Sequence, residues 1–321
     1  MTTLLVTTSP VFGSVGRLPQ FIADHGWELV RCADPKLPDG GMGEYVERMD
    51  FLVVGLIAAT ADIINKAKHL KAILKHGVGV DNIDIPAATA RKIPVLNSPG
   101  ANANAVAELA LGSMISLARH IPMSHKTLLE GTWKREMGSE IEGKTLGIVG
   151  FGNIGKLLAK KAQLLGMAVL ACDLFPDKAY AAAHNVEIVS MDDLLRCSDY
   201  VSLHIFGGKE NTNFINAEKL ALMKPAACIM NLARGEILDL DALAAALDKG
   251  AIRGAAIDAY VVEPPDFAHP IFSSPNVMFT PHTGGDTSES VERVGMINVT
   301  DIESLLAGKR PPRILNPEIY A

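Results

Sequence analysis

The chain has 321 residues, 48% of them hydrophobic and 21% charged, with a formal net charge of −6. That length holds two domains with separate cores, and the composition is that of a folded chain rather than a disordered one. The acidic balance and interspersed charges argue against a nucleic-acid or anionic-membrane partner.

Short apolar runs alternate with helix-like segments almost throughout, the pattern of a parallel α/β protein. In the first hundred residues, strands are predicted at Leu4–Thr7, Glu28–Arg31, Phe51–Val54, Ala72–Lys75 and Val95–Leu96. Helical segments between them are predicted at Pro19–His25, Tyr45–Met49, Ile63–Ala67 and Ile85–Ala90. A long helix pattern from Ala103 to Arg119 mixes small residues with Leu, Met and Ile, so it can pack closely on several faces. A second sheet is predicted from Leu146–Val149, Val169–Cys172, Glu187–Val189, Tyr200–Ile205, Cys228–Asn231, Ala255–Asp258 and Val277–Phe279. Asp239 is placed to cap a helix that Gly250 closes. Glu289–Leu306 reads as a last amphipathic helix, with a tail expected to cross back to the first domain. The expected architecture is α/β, with two doubly wound parallel-sheet domains. A flavodoxin-like substrate domain comprises residues 1–98 with 290–321, and a Rossmann domain comprises residues 99–289.

The run Lys144-Thr-Leu-Gly-Ile-Val-Gly-Phe-Gly-Asn-Ile-Gly155 opens the second domain. It reads as a buried strand, a glycine turn and a helix beginning near Asn153. Gly150, Gly152 and Gly155 have the G-x-G-x-x-G spacing: one for the tight turn, one for backbone approach to a pyrophosphate, one for helix-on-strand packing. The helix N-terminus offers free N–H groups and a partial positive charge to that pyrophosphate. The next apolar run ends in Asp173, where a carboxylate can bind the adenosine ribose and repel a 2′-phosphate. NAD is therefore the expected cofactor.

Three polar residues end strand-like runs of the second domain: Arg234, Glu263 and His282. Ligands gather at the carboxyl ends of strands in open parallel sheets, so these three can converge beside a nicotinamide. Arg offers a planar fork for a carboxylate. A His can accept a hydroxyl proton as hydride leaves the adjacent carbon, and an acid on its other nitrogen would orient it. Each alone also fits an ordinary surface residue: a salt-bridge partner, a solvated loop acid before Pro264-Pro265, a Pro-His turn.

The order of motifs decides between these. Lys75-His-Gly-Val-Gly-Val-Asp-Asn82, Asn97-Ser-Pro99, the Gly150–Gly155 fingerprint with Asp173, Asn231-Leu-Ala-Arg-Gly235, Asp258 to Pro264 and Thr280-Pro-His-Thr-Gly-Gly285 occur in sequence. On these motifs the chain resembles the D-isomer-specific 2-hydroxyacid dehydrogenases over nearly its whole length, and within them the catalytic core of the phosphoglycerate dehydrogenases. The resemblance implies that Arg234, Glu263 and His282 are the catalytic residues. It implies substrate binding by Gly77, Val78, Gly79, Arg234 and His282, the glycines letting amides approach the carboxylate. Val78, Asn153, Ile154, Asp173 and Ile205 fall where the family contacts NAD, as do Leu232, Ala233, Asp258, Gly284 and Gly285. It further implies a homodimer built through the second domain and the region around Ala103–Trp133.

Two departures stand out. Ile205-Phe-Gly-Gly208 replaces a loop that usually contains proline, and Lys75-His76 replaces an Arg at the carboxylate loop. For a phosphorylated substrate, Lys134 and Arg135 offer a second positive site, or equally a solvated basic patch; Lys75 and His76 are the other candidates. The expected reaction is NAD-dependent oxidation of a 2-hydroxyacid, with D-3-phosphoglycerate first and a glyoxylate, hydroxypyruvate or other 2-ketoacid reductase second. A non-enzymatic NAD(H)-sensing protein on the same fold is the reading from another class. The four scattered cysteines form no C-x-x-C pair and no metal-ligand spacing, so no metal is expected; Cys172 and Cys228 lie in apolar strand-like runs and are expected to be buried reduced thiols. The N-terminus has no basic n-region, and no run approaches the roughly 18 apolar residues of a membrane span. No signal peptide is expected, and the expected location is cytoplasmic.

Overall fold

A computed structural model describes residues 2–34, 36–37, 39–274 and 276–321. The chain divides into two units, Met1–Asn102 with Gly285–Ala321, and Ala103–Gly284.

In the first unit, strands β1 (Leu4–Thr7), β2 (Glu28–Arg31), β3 (Phe51–Val54), β4 (Ala72–Lys75) and β5 (Val95–Leu96) form a parallel sheet in the order β2-β1-β3-β4-β5. This is the flavodoxin-like order. Alternation along each strand fills two layers. Val6, Leu52, Val54 and Ile73 belong to one cluster, while Leu5, Phe51, Val53 and Leu74 pack on the opposite face. Helices α1 (Leu18–Asp24), α2 (Ala61–Lys66) and α3 (Ile85–Ala90) connect the strands, the last two starting at side-chain caps from Thr60 and Asp84. The predicted helix at Tyr45–Met49 is a 3-10 turn at Gly43–Tyr45 followed by irregular turns. The Asp39 carboxylate accepts the Gly41 and Gly43 amides, which holds the chain in tight turns as it enters this segment.

In the second unit, α4 (Ala103–Arg119) and α5 (Ile121–Leu129) precede the larger sheet. Its strands are β6 (Thr145–Val149), β7 (Ala168–Cys172), β8 (Glu187–Ile188), β9 (Tyr200–Leu203), β10 (Cys228–Asn231), β11 (Gly254–Ile257) and β12 (Val277–Phe279). Their order is β12-β11-β10-β9-β6-β7-β8, all parallel. The order reverses between β6 and β9, the switch point at which open α/β sheets bind dinucleotides. Leu146, Ile148, Cys228 and Met230 face one core layer, and Val201, Leu203, Ile229 and Ala255 the other. The covering helices are α6 (Asn153–Leu164), α7 (Lys178–Ala183), α8 (Met191–Cys197), α9 (Ala217–Leu220) and α10 (Leu240–Asp248). Asp239 caps α10 through the Ala242 amide (2.9 Å), and Gly250 beyond its end takes φ +65°. Strand β9 stops at Leu203, short of the expected Ile205. The His204 amide still bonds the Val149 carbonyl at 2.7 Å, and the chain then leaves the sheet.

The returning segment of the first unit carries α11 (Ser288–Leu306), capped by Thr287 and burying Val291, Val294, Val299 and Ile302. Its tail lies along β5, where the Val95 amide donates to Asn316 Oδ1 and the Leu315 amide to the Val95 carbonyl.

Candidate active site

The glycine turn between β6 and α6 behaves as three separate mechanical parts. Gly150 has φ +94°, and a Cβ there would lie 2.5 Å from the His204 carbonyl oxygen. A Cβ on Gly155 would collide with the Gly150 carbonyl oxygen, so α6 can approach β6 only with glycine there. Around Gly152, by contrast, a Cβ would meet nothing within 4 Å. Gly152 is the N-cap of α6 and supplies no side-chain cap, so the amides of Asn153 and Ile154 open the helix without a side-chain acceptor. This open cradle fits an anionic pyrophosphate. Asp173, at the end of β7, accepts the Phe151 amide at 2.7 Å on one carboxylate oxygen and the Phe175 amide at 2.8 Å on the other. Those bonds fix the carboxylate beside the turn and leave lone pairs for a diol.

Arg234 follows β10, and Glu263 and His282 lie on the loops after β11 and β12. Glu263 and His282 meet: His282 Nδ1 lies 2.7 and 2.9 Å from the two Glu263 carboxylate oxygens. The Tyr260 amide also donates to Glu263 at 3.1 Å. Burial alone would push the Glu263 carboxyl up. The hydrogen bond and charge of His282, the Tyr260 amide and the nearby Arg234 charge outweigh it and hold the group below the usual carboxylate range. With Nδ1 committed to the carboxylate, Nε2 is the nitrogen left for a substrate proton. Both side chains of the pair keep partial exposure, at 32% for His282 and 27% for Glu263, so the pair is open to a ligand.

His282 adopts φ +53°, a left-handed conformation that costs a residue with a Cβ about 1–2 kcal/mol. Asp258, 2% exposed, holds it there. One carboxylate oxygen accepts Thr280 Oγ1 at 2.6 Å and the Thr283 amide at 2.8 Å, and the other accepts the Gly284 amide at 2.9 Å. Three bonds thus brace the loop on both sides of His282. The family resemblance implies that Asp258 is a cofactor contact, and the geometry adds this bracing role. Arg234 is positioned in a similar way. Asn231 accepts the Ala233 amide (3.2 Å) and donates to the Arg234 carbonyl (2.8 Å), closing the turn on which the guanidinium sits. Tyr260 was not singled out from sequence. Its hydroxyl donates to the Ile257 and Thr280 carbonyls, and burial, with the Asp258 and Glu263 charges, pushes its pKa up to about 12. No periodicity or spacing in the sequence marks that role.

Of the remaining expected cofactor contacts, Leu232 and Ala233 lie on the turn before Arg234, and Ile205 follows His204 off β9. In the first unit, Gly77 takes φ +145° after β4, its carbonyl accepts the Ser98 amide, and the Val78 carbonyl accepts Asn97 Nδ2 at 2.8 Å. Gly79 continues this irregular segment, and Gly285 begins the returning stretch of that unit. Lys75 and His76 are engaged locally. The Lys75 ammonium bonds the Gly55 carbonyl (2.7 Å) and Asn82 Oδ1 (2.9 Å), and His76 Nδ1 lies 3.1 Å from Ser9 Oγ. Burial brings His76 down to about 4, so its ring is neutral at pH 7. Lys134 pairs with Glu136 at 2.5 Å on an exposed segment. Among the described residues no group of three or more His, Cys, Asp or Glu could hold a metal ion. No helix among them is long and apolar enough to cross a membrane.

Residues 111–284 match the family model described as D-isomer specific 2-hydroxyacid dehydrogenase, NAD binding domain. A D-3-phosphoglycerate dehydrogenase of Methanocaldococcus jannaschii is 40% identical over 277 residues, covering 85% of this chain and 53% of the relative. The chain therefore spans about half the length of the phosphoglycerate dehydrogenases it matches. A hydroxypyruvate reductase of Thermotoga maritima is 42% identical over 256 residues, covering 78% of this chain and 83% of the relative. Among solved structures, the TT0316 protein of Thermus thermophilus superposes with a TM-score of 0.88 at 31% identity, over 98% of this chain and all of the other.

Proposed function

This chain belongs to the D-isomer-specific 2-hydroxyacid dehydrogenases, and on that premise we propose that it oxidises a 2-hydroxyacid, or reduces the matching 2-ketoacid, with NAD. The observation that carries the reading is the Glu263–His282 pair, held by Asp258 beside the strand ends that also carry Arg234. Asn153 and Ile154 at the opening of α6 bind the pyrophosphate, and Asp173 reads the adenosine ribose. When bound, NAD supplies the hydride acceptor at its nicotinamide.

Arg234 takes the substrate carboxylate in its planar fork and orients C2. His282 Nε2 accepts the C2 hydroxyl proton during oxidation and returns it during reduction. Glu263 keeps the proton-bearing nitrogen of the imidazole at Nδ1 and stabilises the cation that forms when Nε2 gains its proton. In the first unit, the Gly77–Gly79 amides are assigned to the substrate carboxylate on the strength of the resemblance.

D-3-phosphoglycerate is the first substrate we assign, which would put the enzyme at the entry to serine synthesis; six in-order motifs and the phosphoglycerate dehydrogenase relatives support it. Hydroxypyruvate is the second, favoured by the reductase relative that this chain matches over most of its length, and by the engagement of Lys134 with Glu136. Initial rates of NADH oxidation with 3-phosphohydroxypyruvate, hydroxypyruvate and glyoxylate separate them. The highest kcat/KM with the phosphorylated acid supports the first, and a preference for either other acid supports the second. Turnover of none of the three, with NADH still bound, would overturn both and favour another 2-hydroxyacid first and an NAD(H)-sensing role second.

A homodimer is also part of the proposal. Helix α5 buries none of its residues, and Trp133 and Met137 beyond it are 83% and 93% exposed, an apolar surface that a second copy would cover. Light scattering on the purified chain reads the mass directly.

A further inference from the structure

The segment after β9 is fastened to the Arg234 turn by one residue. Glu236 sits on the 3-10 turn Gly235–Ile237, two residues past Arg234. Its backbone carbonyl accepts the Asn213 amide at 2.7 Å, and its carboxylate accepts the Gly208 amide at 3.3 Å. Behind these bonds, Ile215 and Leu238 form an isolated parallel bridge that closes the base of the loop. Gly207 lies flat against this seat. A Cβ there would fall on Glu236 Oε1 and come within 3.0 Å of Arg234 Cγ. The glycine and the carboxylate are therefore complementary, since one leaves the space that the other fills. Phe206, at the crest of the loop, is 80% exposed, and its carbonyl is held by Asn211 Nδ2 at 2.9 Å. The loop thus touches the Arg234 side chain through Gly207 and is tied down at Gly208 and at Asn213 by Glu236.

We propose that Glu236 is a positioning residue: by clamping the Ile205–Asn213 loop at Gly208 and Asn213, it fixes the rotamer of Arg234 against Gly207. This rests on the reading of Arg234 as the group that receives the substrate carboxylate. The side-chain half of the clamp is an accepted hydrogen bond, so an amide oxygen can take the place of the carboxylate oxygen, with a weaker bond. The backbone half survives any substitution. Loss of the side chain frees the Gly207–Gly208 peptide and, with it, the wall that confines the Arg234 methylenes.

The test is a set of three single variants and one double, assayed for NADH oxidation with hydroxypyruvate and with 3-phosphohydroxypyruvate. Glu236→Ala is expected to raise the KM for the ketoacid by about tenfold to a hundredfold, the worth of one charge-assisted hydrogen bond. The NADH dissociation constant and Tm stay near wild type. Glu236→Gln is expected to restore most of the loss. Gly207→Ala reproduces the defect by pushing the carboxylate aside, and the double variant loses less than the two single losses combined, because removing the carboxylate relieves the closest contact of the new methyl and leaves only that with Arg234 Cγ. Amide hydrogen exchange over Ile205–Asn213 reads the clamp without turnover, faster in Glu236→Ala and unchanged in Glu236→Gln. Wild-type KM and exchange in Glu236→Ala, or additive losses in the double variant, overturn the clamp. An inert wild-type protein overturns the reading of Arg234 instead, and the exchange experiment still decides the clamp.

Discussion

Gly152 and Gly155 belong to one fingerprint and should fail in different ways. A methyl at position 155 meets the Gly150 carbonyl oxygen and lies 3.0 Å from the Ile148 side chain, both inside the folded unit. Overpacking of this kind typically costs about 1–3 kcal/mol, so Gly155→Ala should lower the unfolding midpoint of the second unit with or without NAD. A methyl at position 152 meets no protein atom within 4 Å, and the backbone there is extended, open to any residue. Gly152→Ala should therefore leave stability unchanged within about 0.5 kcal/mol, the usual range for a surface substitution. Its methyl instead projects into the space where the pyrophosphate approaches the α6 amides. Displacing one charge-assisted hydrogen bond forfeits about 1.5–3 kcal/mol, so the NAD dissociation constant should rise roughly ten- to 150-fold. Calorimetric titration with NADH and a denaturant melt of each variant, both without substrate, read the two quantities independently. Wild-type NADH affinity in Gly152→Ala, or a stability loss equal to that of Gly155→Ala, would refute the division of labour.

His282→Ala should lower kcat by about 10²–10⁴ while NADH still binds, as expected for loss of a general acid–base; near wild-type turnover would reject the assignment. Asp173→Ala should relax the preference for NAD over NADP, seen as a rise in the ratio of kcat/KM with NADPH to that with NADH. An unchanged ratio would assign ribose reading to another group. His76 and His204 make stability depend on pH. Burial brings both down to about 4 from an ordinary 6.5, so between those values the unfolded chain binds more protons than the folded one. Stability is then fully present above pH 6.5 and falls as pH drops toward 4, by up to about 3 kcal/mol per ring. Urea midpoints measured from pH 7 to pH 4 should fall steadily, and a flat profile would show that these rings are not sealed when neutral.

Much of this protein is legible in local sequence because burial is periodic along the chain. Buried runs such as Phe51–Val54 and Cys228–Asn231 announce their strands, and Asp239 and Gly250 announce the ends of α10 through cap chemistry that acts within a few residues. The cofactor turn is legible for the same reason: Gly150, Gly152, Gly155 and the start of α6 act within one turn of chain. Errors fall where local preference is weak, as at Tyr45–Met49, and at the end of β9, where an apolar Ile205 continues the pattern after the hydrogen-bond ladder has stopped. The chemistry of the site is set at longer range. Glu263 reaches His282 only because β12 lies beside β11, and Asp258 braces the Thr280–Gly284 loop across that same strand pair. Glu236 meets Gly208 because the neighbouring β9 and β10 end side by side. The sequence thus determined which elements form and which residue types the site contains. Tertiary structure decided which of those residues touch, because a hydrogen bond acts over about 3 Å of space whatever length of chain separates its partners.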